Sequence, residues 1–514
     1  MCVGKGARLS KRRRSQQAPL LLRIMCEAPR VREGNTGETT TERAGAPTSD
    51  CPGTSTDSSP DAAPLKVQPR AAVWSSGVPF YPPSRELWRI GGKWYDFEPF
   101  LKKHPGGEEV VRLARDRFED ATFAFESHHH NYKKARAIIA KYEVPAPDVL
   151  LGRPVDASIG GMHAPTDHPV KPHAGHAVGS TPKLAGDDAF YSVCRRRLTE
   201  HLRKVGCPHG GPTRACVVLF WLNFVGFIGA WLHMYQTGTV LSAIVFGALA
   251  SLLGAFGHNW VHQPDYRFHS YLSLDTIGFS STGWFREHVL QHHMYTNTPW
   301  DNHFRGTDPF LKTDPTVPRH WIQTLTPYIN PIILTFGLYG NYVAHLVDML
   351  KGDEEWRVMK LCLPVNTALL VSKWGLLHGG LLQYTWAGVL GLWYFTMALM
   401  NHNAEHTQNV HARNKARDWG EQQLVACADW GVQLTFYQAW IYLWLNYHTV
   451  HHLFPRLDFS HHPAAQRIIM ETCREFNVKY VAADSPVTIY REMIHSFRTP
   501  RSLYKSIMLY GGEF

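Results

Sequence analysis

Four apolar runs, grouped in two pairs, constrain this chain more than any other feature. Cys216–Tyr235 and Val240–Gly257 are separated by a short Gln236-Thr-Gly238 break. Leu361–Leu377 and Leu381–Met400 are separated by His378-Gly-Gly380. Each run is close to the ~20 residues that carry a helix across a bilayer, so each pair reads as a helical hairpin. The two joints carry no Lys or Arg, whereas the long flanks do, beginning with Arg195-Arg-Arg197, Arg203 and Lys204. The positive-inside rule therefore puts both joints on the far side of the membrane and the flanks on the cytosolic side. A further run, Ile332–Leu350, contains Asn341, His345 and Asp348. It reads as an interfacial or protein-covered helix, because counting it as a span would strand the later segments on the wrong side. The expectation is an α-helical integral membrane domain with four transmembrane helices.

Histidines cluster beside these runs. The chain has 30 of them, and they come at repeated short spacings: His258 and His262; His288, His292 and His293; His402 and His406; His448, His451 and His452. On a helix, positions i, i+4 and i+5 are expected on neighbouring parts of one face, so the imidazoles of His288, His292 and His293 can converge. Ionisable side chains bunched at membrane depth point to function, and bunched neutral imidazoles point to a metal. Iron, copper, zinc and nickel all accept imidazole, so the donor type does not choose among them. Both hairpins deliver their histidines to the same, cytosolic side. His269, His303, His345, His461 and His462 read as ordinary exposed, interfacial or supporting polar groups. Asp265, Glu287, Asp301 and Glu405 are candidates for orienting ligand imidazoles through the free ring N–H.

Other classes are disfavoured. The net charge of +10 is partly carried by an N-terminal run and forms no aromatic-interleaved basic stripe, so no nucleic-acid partner is expected. The nine cysteines include no Cys-x2-Cys pair, which disfavours zinc ribbons and disulfide scaffolds and suits reduced thiols. Residues 1–75 are rich in Arg, Ser, Thr, Pro and Gly without an apolar period, and read as a disordered tail. Residues 149–185 are a Pro/His/Gly/Ala linker, read as a flexible tether that lets the preceding module swing. Residues 491–514 read as a C-terminal tail.

Residues 80–148 read as a compact α+β unit. Ile90-Gly-Gly-Lys-Trp-Tyr-Asp-Phe97 leads into Phe100-Leu-Lys-Lys-His104-Pro-Gly-Gly107, followed by Asp120-Ala-Thr122, Phe125 and His128-His-His130. This pattern resembles the cytochrome b5 haem domain along its whole length. The resemblance implies haem b held by His104 and by one of the three adjacent histidines, with His129 favoured by the count from Asp120 and His130 the alternative. Pro105 and the two glycines force the turn that aims His104. Two imidazole ligands leave the iron no open position, which suits electron transfer.

The set HNWVH (258–262), HVLQHH (288–293), HNAEH (402–406) and HTVHHLFP (448–455) resembles the membrane fatty acid desaturases, over residues 190–490. With the haem module in front, the whole chain is similar to cytochrome b5-fused desaturases, including the insect cytochrome b5-related branch. The resemblance implies two non-haem irons under a cytosolic cap. Carried over box by box, the ligands are His258, His262, His288, His292, His293, His406, His448, His451 and His452, with His402 beside them. It also implies O2 as cosubstrate, electrons from NAD(P)H through a cytochrome b5 reductase, and a fatty acyl lipid or acyl-CoA substrate in the bilayer. Attack on an alkyl C–H bond requires such a redox metal, because acid–base side chains cannot perform it. The endoplasmic reticulum fits a b5 donor; a plastid is the alternative location. Fused front-end desaturases usually carry Gln where this chain has His448, and the middle box is H-x3-HH rather than the commoner H-x2-HH. A lipid hydroxylase is the alternative activity, although the Asn-Tyr-x-Glu-His-Tyr-Gly string of hydroxylases is absent around His406.

Overall fold

A computed structural model describes residues 86–117, 121–129, 132–145, 188–297, 301, 303, 311, 313, 323, 325–352, 354–408, 416 and 418–498. The tail at 1–75, His130, the linker at 149–185 and residues 499–514 lie outside the described residues.

The first described module is built on a small antiparallel sheet. β1 (Trp88–Ile90) pairs with β2 (Lys93–Tyr95) in the register Trp88↔Tyr95 and Ile90↔Lys93, and β2 pairs with β3 (Glu143–Val144). Gly91 and Gly92, at φ 61° and 77°, close the first hairpin in two residues, the left-handed geometry such a turn demands. Helices α1 (Glu108–Arg117), α2 (Thr122–His128) and α3 (Tyr132–Ile139) pack on this sheet. The core contains Trp88, Ile90, Tyr95, Phe97, Leu101 and Phe125, and the Trp88 indole donates to the Val111 carbonyl at 2.7 Å.

The second part is helical. α4 (Phe190–Lys204) is held by Asp418, which accepts from the Tyr191 N–H at 2.8 Å. α5 (Arg214–Thr237) and α6 (Val240–Trp260) are long and apolar enough to cross a membrane. Thr213 and Thr239 cap them by accepting from the Cys216 and Ser242 N–H groups, and Gly238 at φ 62° reverses the chain between them. α7 (Arg267–Leu274) and α8 (Ser281–Trp284) follow. A π-helical segment, Phe285–His292, then continues into α9 (His293–Tyr295).

The Ile332–Leu350 run is split. α10 (Thr326–Thr335) gives way to α11 (Gly337–Lys351), where Phe336 separates them. α11 buries His345 against Glu354, whose other oxygen takes the Lys360 Nζ at 2.6 Å. Both members of that ion pair are almost fully buried, so removing either would leave an uncompensated charge.

α12 (Cys362–His402) is a hairpin in itself. The chain reverses at Gly375 (φ 76°, ψ 167°), not at His378-Gly-Gly380. The helix runs straight through those residues, because the absent Cβ of Gly379 lets the Leu370 carbonyl approach to where that carbon would be, 2.4 Å away. The returning arm sets Gln383 against Asn366, whose Nδ2 donates at 2.8 Å. Gly247 on α6 likewise lies under the Trp386 carbonyl and joins the two hairpins closely.

α13 (Trp419–Ala426), α14 (His448–Leu453) and α15 (His462–Phe476) complete the region over the hairpin ends, with β4 (Asp429–Trp430) parallel to β5 (Ala482–Ala483). α16 (Pro486–Arg498) buries Ile489, Met493 and Phe497 with Met400 and Trp430, so residues 491–498 are packed helix rather than tail.

Candidate metal centres

In the small module the His104 and His129 ring centroids are 6.0 Å apart. His104 Nδ1 donates to the Gly107 carbonyl at 3.2 Å and His129 Nδ1 donates to the Phe125 carbonyl at 2.8 Å. With the proton on Nδ1, each Nε2 carries the lone pair that a metal would take. Two imidazoles on opposite sides of an ion at about 2.0 Å place their ring centres about 6 Å apart, so the pair fits a bis-histidine haem. Gly106 allows the His104 ring its position, since a Cβ there would sit 2.9 Å from the ring. His128 likewise turns its Nδ1 to the Ala124 carbonyl, 3.0 Å away.

The boxes converge into two adjoining nests. The first gathers His258, His262, His288, His293 and His451; the second gathers His292, His402, His448 and His452. All nine side chains are buried. In the first nest the Nε2 atoms of His258, His288, His293 and His451 close a square with edges of 2.7, 3.1, 3.1 and 3.1 Å. In the second, His402 Nε2 lies 3.1 Å from His292 Nε2 and 2.8 Å from His448 Nε2. A neutral imidazole nitrogen is either donor or acceptor, so it cannot satisfy two such neighbours in both directions. An ion bound at about 2.0–2.1 Å spaces adjacent ligand nitrogens at about 2.8–3.0 Å, which is the spacing seen. Neither ring nitrogen of His262 has a protein partner. The nests share walls, with the His293 and His452 rings stacked at 4.1 Å.

The surroundings fix the tautomers. His292 Nδ1 donates to both Asp301 oxygens at 2.9 Å, His402 Nδ1 to the Ala426 carbonyl at 3.1 Å, and His452 Nδ1 to Gln423 Oε1 at 3.0 Å. With Nδ1 protonated, Nε2 carries the lone pair that a metal would take. Burial pushes His292 down to about 3 and holds His448, His451 and His452 well below the usual imidazole range, so these rings are neutral donors at ordinary pH.

The middle box works through its π turn. In an α-helix His293 would lie about 140° around from His288, facing away. The i→i+5 winding of Phe285–His292 brings it back, so that His288 and His293 enter one nest and His292 the other. The extra residue of H-x3-HH relative to H-x2-HH is absorbed by that turn.

One expectation is redistributed. His402, expected beside the site, is inside the second nest. His406, expected as a ligand, is outside both, with its Nε2 donating to the Cys427 carbonyl at 3.2 Å and its Nδ1 4.0 Å from Glu492. The cause is local: α12 ends at His402, so His406 occupies a separate turn and does not share its face. Of the four carboxylates considered for orienting ligands, Asp301 does so. Asp265 is exposed, Glu287 lies among Arg286, His345 and Asp348, and Glu405 pairs with His495. His303 stacks on His292 at 4.7 Å, His345 pairs with Glu354, and His269 packs on Trp260. His461 and His462 donate to the Gly211 and Leu457 carbonyls.

Fold and site together define a class: a helical protein that gathers nine buried imidazoles into two nests, joined to a small module with a facing histidine pair. The sequence profile of the fatty acid desaturase family matches residues 235–483, and that of the cytochrome b5-like haem/steroid binding domain matches residues 80–145. The chain belongs to the fatty acid desaturases with a fused cytochrome b5 domain, which are oxidoreductases. It is 25% identical over 434 residues to an acyl-lipid (7-3)-desaturase, chloroplastic, of Chlamydomonas reinhardtii, covering 76% of each chain. It is 24% identical to a cytochrome b5-related protein of Drosophila melanogaster (78% of this chain, 86% of the relative). It is 26% identical to an acyl-lipid (8-3)-desaturase of Physcomitrium patens (76% and 83%).

Proposed function

We propose that this chain desaturates the acyl chain of a membrane lipid, using O2, with two irons in the nests and haem between His104 and His129. The convergence of nine neutral imidazoles, with no carboxylate among them, carries this reading. His258, His262, His288, His293 and His451 would hold one iron; His292, His402, His448 and His452 would hold the other. Bound there, the irons supply the O2 chemistry that removes two hydrogens from unactivated carbon. The protein's own part is to keep each Nε2 unprotonated, to fix ring orientation through Asp301, Gln423 and the Ala426 carbonyl, and to keep the site dry.

An apolar cleft of about 360 Å³ lined by Leu219, Leu222, Leu252, Phe256, Tyr437 and Trp444 lies on the outer face of α5 and α6. Trp444 also borders the small void beside His258 and His451. Leu443 and Trp444 both hold left-handed backbone conformations (φ 55° and 54°), strain of the kind concentrated at functional sites. The cleft would receive an acyl chain sideways from the bilayer, with Trp444 between it and the nests. Several relatives are named acyl-lipid desaturases, which favours an acyl-lipid over an acyl-CoA substrate. Two hairpins crossing the bilayer, nests and haem on the cytosolic side of the endoplasmic reticulum, and reduction by a cytochrome b5 reductase complete the reading.

Expression in yeast tests it. A new unsaturated acyl species, located by mass spectrometry and lost in His451→Ala while the haem spectrum remains, is expected. A hydroxylated product, or full activity of His451→Ala, would overturn it.

A further inference from the structure

From the sequence a swinging haem module is expected, yet the structure packs that module against the helix of the middle box. Leu290 and Met294, on the helix that carries His288, His292 and His293, are buried in the core of the haem module with Trp88 and Phe125. Ser127 Oγ lies 3.4 Å from Met294 Sδ. Three arginines of the helical part donate to main-chain carbonyls around the haem-ligand loops: Arg267 to Gly106 at 3.0 Å, Arg456 to His128 at 3.3 Å, and Arg195 to His129 at 3.4 Å. His128, the neighbour of His129 in the chain and the residue whose carbonyl Arg456 holds, has its Nε2 buried without a protein partner.

We propose that the haem module is docked in a fixed pose by this arginine clamp and shared apolar core, and that His128 and Met294 are the positioning residues that fill the gap between haem and irons. The clamp reads carbonyls, whose position is set by the fold, rather than surface carboxylates. Docking is therefore specific to this chain's own module and resists salt, unlike an encounter steered by exposed charges. The proposal rests on the desaturase reading. Each crossing would pass one electron from haem held by His104 and His129, which is oxidised, to iron held in the nests, which is reduced. Two crossings, together with the two electrons and two protons of the broken C–H bonds and two protons from solvent, reduce O2 to two waters. An external flavin reductase resupplies the haem.

The pose is tested in membranes of the full-length protein carrying Ser127→Cys and Met294→Cys. Mild oxidation is expected to link the two peptides, as read by mass spectrometry, at high yield and equally in low and high salt, with the haem spectrum intact. No link above the single-cysteine controls would overturn the fixed pose. The link forms whether or not any acyl chain is desaturated, so its failure is distinguishable from failure of the proposed function. The gap residues are tested by stopped-flow reoxidation of the reduced haem under O2. His128→Ala and Met294→Ala are expected to slow it at least about tenfold, with haem spectrum and non-haem iron content unchanged. An unchanged rate would remove both residues from the proposal.

Discussion

At the scale of single residues, the second nest turns on which histidine of the 402/406 pair faces inward. His402 Nε2 touches both His292 and His448, while His406 bonds a carbonyl outside the nest. His402→Ala is therefore expected to lose iron from purified protein and His406→Ala to keep it, as measured by metal analysis beside the haem spectrum. The reverse order would return His406 to the ligand set. Asp301→Asn should weaken metal binding by about 10–100-fold in chelator competition, because the group that accepts the His292 Nδ1–H loses its charge and one of its two accepting oxygens. The other eight nest histidines stood out in the sequence because each box is short, which keeps its members close together in the chain. The structure separates His402 from His406 because i, i+4 spacing implies a shared face only while the helix continues, and α12 stops at His402.

At the scale of elements, the π turn decides how three histidines serve two nests. Deleting Gln291 converts H-x3-HH to H-x2-HH. Now spaced i, i+3 and i+4, the three histidines lie on one side of an ordinary α-helix. The variant is expected to retain most of its iron; a folded variant that has lost it would show that the π winding does more than align the rings. No local pattern signals this winding, since the i→i+5 bonds are favoured only through the contacts of His288 and His293 in the nest. Nor was the break at Gly375 visible. His378-Gly-Gly380 has the composition of a joint, but the small residues serve close helix approach, with Gly379 against Leu370. The α5–α6 hairpin, by contrast, was readable to within a few residues, because apolar length, capping threonines and Gly238 all agree.

At the scale of the whole molecule, the two hairpins close at one end and the nests lie at the other. His378 Nε2 donates to the Gly238 carbonyl at 2.7 Å and Trp374 to the Tyr235 carbonyl at 3.1 Å, so the two turns touch. Lys373 also sits there, over the Tyr235 ring at 4.2 Å. One cation against the many Arg and Lys of the opposite flanks leaves the charge asymmetry in place. In sealed microsomes, single added cysteines at Thr237 and at Lys102 are expected to react with an impermeant thiol reagent from opposite sides. Labelling from the same side would refute the two-hairpin crossing.

The amino-acid sequence by itself determined the two modules, the α5–α6 hairpin, the four boxes and the His104 turn. These depend on local periodicity, short spacings and glycine geometry, all of which act within a few residues. Only the tertiary structure decided which nest each histidine enters, that His402 displaces His406, where α12 folds back, and how the haem module rests on the box helix. Those outcomes arise from contacts between residues up to hundreds of positions apart, such as Arg456 with His128. Such contacts are selected by packing and by carbonyls that the finished fold positions, and no local pattern encodes them.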